Sequence, residues 1–274
     1  PTPMWHAVTE WAVLAGLGGL LATWRIGTQM FNPDNTYYLN KAIHYSEQAW
    51  SFPHHDLMFG VPGVQHIPYG NLLSSYEPLA GALAGITGWP APHLLVTLIA
   101  PLALVLLPFA VRYMVRGLGA KRAGLAGALA VASMLLMTQS DTSSLFVTFS
   151  LGKELCRMTV IPLVFGAIGH ALRSPSRHTA IIATLASVSA IGLSPSLGMA
   201  ATLVLVPFTA AAVASRWFDR SAAPMSGRQL SLVALPMLVT LALVAFAAVF
   251  QARSGQALID FLFFKHPMDA WTDR

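Results

Sequence analysis

Seven long stretches with very little charge dominate this sequence: Trp11–Ile26, His93–Tyr113, Ala123–Thr138, Leu155–Leu172, Thr179–Leu193, Leu197–Ser215 and Leu230–Gln251. A helix needs roughly 20 mostly apolar residues to cross the hydrocarbon of a bilayer. Inside lipid, backbone polar groups are satisfied only within helices or closed barrels. The expected fold is therefore all-α: a polytopic membrane helical bundle of about seven transmembrane helices. Composition agrees, since 55% of the 274 residues are hydrophobic and only 10% charged, where a soluble domain carries about 25% charge. Disorder, a fibrous repeat and a disulfide scaffold are excluded on the same grounds, and the lone Cys156 has no internal partner.

Loop charge orders the spans. Arg112/Arg116/Lys121/Arg122, Arg173/Arg177 and Arg216/Arg220/Arg228 fall in alternate loops when seven spans are counted. The positive-inside rule then makes that side cytoplasmic, the N-terminus with it. An eighth full span at Leu72–Trp89 would put the 112–122 cluster outside. That segment also carries Ser74, Ser75, Tyr76, Glu77 and Pro78, and is read as re-entrant or interfacial, lining an outer cavity. The organisation expected is one transmembrane module over 1–251, with a long first outer loop at 27–92, and an outer C-terminal segment at 252–274. Multi-pass membrane insertion follows from this layout. No small-residue cleavage site follows the first apolar run, so no removable signal peptide is expected. The chain opens at Pro1 without a methionine and stops in Phe264–Arg274, so either end is a candidate fragment boundary.

The first outer loop holds most of the chemistry. After Asn32-Pro33-Asp34-Asn35, the residues Tyr38, Leu39, Ala42, Ile43, Ala49 and Trp50 recur at helical spacing, with Asn40, Lys41, His44, Glu47 and Gln48 opposite. The pattern predicts an amphipathic helix on the membrane surface, apolar side down, capped by Asp34 or Asn35. Asp34 has two readings: a helix cap, or a carboxylate at the lipid–water boundary that takes a proton from a hydroxyl substrate. His44, His54, His55 and His66 share the loop with Asp56. Their spacing matches no strong ligand motif, so no metal or other cofactor is assigned, although a divalent ion stays compatible with this donor set.

In the second outer loop, Gly152-Lys153-Glu154-Leu155-Cys156-Arg157 opens a span. Lys153 and Arg157, four apart, would share a helix face and present positive charge to a lipid phosphate. Against that, Glu154 is placed to neutralise one of them, and Lys153 to snorkel to the headgroups. Asp141 is a further acid on this side, or a mere loop solubiliser. Glu10 and Arg25, near the ends of the first span, are expected to cost little there. A transporter is disfavoured, because ionisable residues in mid-span are almost lacking.

Four segments, in order and spacing, resemble the GT-C superfamily of membrane glycosyltransferases, and more closely an uncharacterised bacterial family of GT-C-like multi-pass proteins. They are Pro33-Asp34-Asn35-Thr36-Tyr37-Tyr38, Ser75-Tyr76-Glu77-Pro78-Leu79, Thr87-Gly88-Trp89-Pro90, and Gly152-Lys153-Glu154 followed by Pro162. The resemblance spans roughly residues 10–200. It implies a polyprenyl-phosphate-linked sugar as donor, Asp34 as the base that deprotonates an outer-side acceptor, and Lys153 with Arg157 as ligands of the donor phosphate. Tyr38, Tyr76, Glu77, Asp141 and Glu154 are then candidates to line the cavity. The family's second carboxylate is an amide here, Asn35. If the acidic pair is required, the chain is instead an inactive GT-C-like accessory subunit, with other membrane proteins as its partners. Small-residue stretches such as Gly124–Ala132 and Ala210–Ala214 suit helix contacts under either reading.

Overall fold

The computed structural model describes residues 4–27, 33–48, 75–137, 152–218 and 225–253, and every regular element among them is helical. In chain order these are α1 (Met4–Gly27), α2 (Pro33–Glu47), α3 (Tyr76–Thr87), α4 (Ala91–Gly117), α5 (Ala123–Met137), α6 (152–173), α7 (Arg177–Leu193), α8 (Pro195–Phe218) and α9 (Gly227–Arg253). Each of the seven apolar stretches falls on one helix: α1, and α4 through α9. Four of them, α1, α4, α8 and α9, are long and apolar enough to cross a membrane, which marks the chain as a membrane protein. Leu129, Leu185, Leu203, Leu238 and Phe246 point outward from the bundle, as lipid-facing side chains do. The α3 helix has 12 residues, about 18 Å at 1.5 Å per residue, too short to cross. It ends at Gly88, whose φ of +72° is left-handed and whose N–H donates to Ala84 O at 2.9 Å, a glycine C-cap.

Two helices contain a widened turn. The backbone takes π-helical hydrogen bonding over Leu94–Ile99 in α4 and over Cys156–Val160 in α6. A proline stands two residues beyond each stretch, Pro101 and Pro162. Proline has no N–H to give the carbonyl four residues back and its ring crowds that carbonyl. Thr97 and Met158 occupy those positions, inside the widened turns, so the strain is absorbed on the N-terminal side of each proline.

The helices pack through glycine. Antiparallel α1 and α4 meet where Gly18 lies on the backbone of Val105, and α4 runs parallel to α6, with Gly117 against Gly166 and Gly169. The Thr159 hydroxyl donates to Ala103 O across the same seam at 3.2 Å. A capping box of Ser176 and Thr179 starts α7, and Ser194 alone separates α7 from α8.

These contacts sort the chain into two ends. At one, Glu10 binds Arg112 at 2.6 Å and Arg173 reaches Arg116 O at 3.3 Å. Arg112 also lies over the ring of Trp11, 4.7 Å from its centroid. At the other, Ser75 N–H donates to Gly192 O at 2.7 Å, and Gly152 abuts Leu193 and the Tyr76 ring.

Candidate functional site

The end marked by Ser75, Gly152 and Gly192 is where α2 and α3 lie. Their contacts advance together: Lys41 meets Glu77, and one turn later Ala42, Tyr45 and Ser46 meet Gly81. The two helices therefore run in the same direction. A Cβ at Gly81 would stand 2.7 Å from Tyr45 Cβ and 2.8 Å from Ala42 O, so glycine sets how closely they approach.

Beneath this contact lies an ion pair. Lys41 Nζ donates to Glu77 Oε2 at 3.2 Å, with both side chains 2% exposed. Tyr76, Tyr45 and His44 are buried around it, Tyr38 is half-buried, and the His44 and Tyr45 rings meet edge to face at 5.6 Å. Burial pulls the Lys41 ammonium below its ordinary pKa, partly offset by the Glu77 charge. Burial and then the same carboxylate hold the Tyr76 and Tyr45 hydroxyls above theirs.

Three expectations change here. Asp34 and Asn35 were expected to cap α2, but the helix already begins at Pro33, a residue suited to the first helical position because its missing N–H has no partner there anyway. Asp34 thus lies inside the first turn, and its side chain is outside the described residues. Since α2 and α3 are parallel, that turn lies at the Ser75 end of the pair, about 10 Å of helix before Lys41. Second, the polar side of α2 is not a solvated face. Lys41 and His44 are buried under α3, while Glu47 and Gln48 remain exposed. Third, Arg25 is not at the surface: it is 2% exposed, and its Nε and Nη1 have no acceptor.

The second-loop residues are close by. Gly152 packs on the Tyr76 ring, where a Cβ would come within 2.9 Å of it. Glu154 is buried and Arg157 is 45% exposed, and they pair at 2.7 Å. The double positive charge expected from Lys153 and Arg157 is therefore reduced, with Arg157 held by Glu154. The Lys153 side chain and all of Asp141 lie outside the described residues, as do His54, His55, His66 and Asp56. Among the described residues no three His, Cys, Asp or Glu side chains gather as a metal site.

Sequence reasoning missed Lys41 as the partner of Glu77. A signal existed: Lys41 is the one Lys or Arg between Arg25 and Arg112. An acid in the apolar run Tyr76–Thr87 needs a cation if it is buried, and the intervening loops offered one.

Compared with known protein families, curated proteins and solved structures, the chain matches none.

Proposed function

We propose that this chain is a GT-C-like membrane glycosyltransferase that moves a sugar from a polyprenyl-phosphate donor to an acceptor hydroxyl on the outer side of a bacterial inner membrane. In this reading all seven apolar helices cross the bilayer, the basic end is cytoplasmic, and α2 and α3 lie at the outer surface. The observation that supports it is the gathering of three separated segments at one end of the bundle: α2 through Lys41, the start of α3 at Ser75-Tyr76-Glu77, and the start of α6 at Gly152. Transfer from a phosphate leaving group needs a base for the attacking oxygen and positive charge for the departing phosphate. Glu77 and Glu154 are engaged by Lys41 and Arg157; the GT-C resemblance assigns the base to Asp34 and the cation for the phosphate to Lys153. No metal is assigned a role.

The test is transfer from a polyprenyl-phosphate sugar by the purified protein and by Asp34→Asn. Loss of transfer at unchanged melting temperature supports the assignment, and full activity of the variant sinks it. Native mass spectrometry of gently extracted protein adds the donor: co-purified polyprenyl phosphate, free or glycosylated, is expected.

The second reading, an inactive accessory subunit, is favoured by Asn35, an amide where the family has its second carboxylate. A stoichiometric complex with other membrane proteins, without polyprenyl lipid, would favour it.

A further inference from the structure

We infer that Arg25 is the anchor of a lipid phosphate, held inside the bundle at the end of α1 nearest α2. The side chain is 2% exposed, and neither Nε nor Nη1 has a hydrogen-bond acceptor. A guanidinium stays charged at any pH the protein meets, so it cannot escape burial by losing a proton. An isolated buried charge is among the costliest groups to leave unmatched, and something must supply the anion.

The carboxylates whose side chains the structure describes are occupied elsewhere, and that of Asp34, nine residues on, is outside them. Glu10 binds Arg112, Glu77 binds Lys41 and Glu154 binds Arg157, while Glu47 is exposed. Position decides what kind of anion fits. Arg25 is the last residue but one of the apolar stretch Ala7–Ile26. The end of a spanning stretch lies at headgroup depth, where the anions at hand are lipid phosphates. Guanidinium and phosphate match in geometry and make short, charge-assisted hydrogen bonds. The same end of the bundle carries the widened turn Leu94–Ile99, and π-bulges recur at functional sites. The inference does not depend on sugar transfer, because an anionic phospholipid and a polyprenyl phosphate offer Arg25 the same group.

The test uses the full-length protein, delipidated in neutral detergent, and reads thermal unfolding with added phosphatidylcholine, phosphatidylglycerol or polyprenyl phosphate. Wild type, Arg25→Met and, as a control whose cation already has a carboxylate, Arg112→Gln are compared. Wild type and the control should gain several degrees from one or both phosphate lipids beyond the phosphatidylcholine effect. Arg25→Met should gain none, and without lipid it should be at least as stable as wild type. In native mass spectra its co-purified anionic lipid should fall roughly tenfold or more, the worth of one charge-assisted contact. Stabilisation by phosphatidylglycerol alone identifies a structural phospholipid; by polyprenyl phosphate alone, the donor class. No response of the wild type to either lipid overturns the inference. So does an Arg25→Met variant that is destabilised without lipid yet responds as wild type does, since the counter-ion is then a carboxylate of this chain. The wild-type arm needs no variant to fold.

Discussion

Lys41 and Glu77 show what a single buried pair commits the chain to. Each is 2% exposed, and each is the other's compensation for leaving water. Removing one partner strands a buried charge, so Lys41→Met and Glu77→Leu should each cost about 3–5 kcal/mol. The double variant, with both charges gone, should recover most of that loss. Unfolding of the four proteins in one detergent closes the cycle, and two additive losses would mean the pair is not coupled. The pH dependence has a sign as well. Lys41 gives up its proton more readily folded than unfolded, so between its lowered pKa and the ordinary 10.5 the unfolded chain binds more protons, and stability rises with pH. Tyr76 and Tyr45 act oppositely. Their folded pKa values lie above the ordinary 10.0, so the stability they contribute below pH 10 is lost as the pH climbs past it. Measured against the double variant, which keeps both tyrosines, wild type should gain stability as the pH rises toward 10.5. A Tyr76→Phe variant should lose less above pH 10.

At the scale of elements, α2 and α3 act as one unit because nothing larger than hydrogen fits at Gly81. A Gly81→Ala substitution should push the pair apart and cost about 1–3 kcal/mol. The same change at Gly85, which has open space around it, should be neutral or slightly stabilising. Equal effects at the two sites would remove the packing argument. The seven apolar helices were legible from the sequence because a run of apolar residues is a local signal, and apart from the start of α1, seven residues earlier at Met4, their ends move by only a few residues in the structure. The burial of His44 and Arg25 was not legible, and that of Lys41 was marked only by its being the one cation within reach of Glu77 in sequence. Amphipathic spacing on α2 reports which residues share a side, not whether another helix covers it, and α3 covers it from beyond a long loop. The widened turns escaped as well: a proline marks where a helix loses a hydrogen bond, and only the backbone shows where the displaced bonds at Pro101 and Pro162 went.

For the whole molecule, the two ends differ in charge, and the proposed seven-span topology assigns them to opposite sides of the membrane. Cys156 is fully buried, so it gives a quiet background for cysteine labelling. A cysteine at exposed Trp89 should react with a membrane-impermeant reagent in intact cells, and one at exposed Lys121 only after permeabilisation. Labelling of both from the same side would rule out this topology. The parallel course of α4 and α6 bears on biogenesis. Contacts between α1, α4 and α5 are available as soon as the first half of the chain has emerged from the ribosome. The glycine seam of Gly117 with Gly166 and Gly169 joins positions some fifty residues apart, and cannot form until the chain has returned through α5 and re-entered as α6. Until then the α4 side at Ala103 and Gly117 lacks its α6 partner. In the proposed topology, assembly would pass through a stage in which a three-helix intermediate waits for its fourth member, the stage a chaperone or insertase would meet.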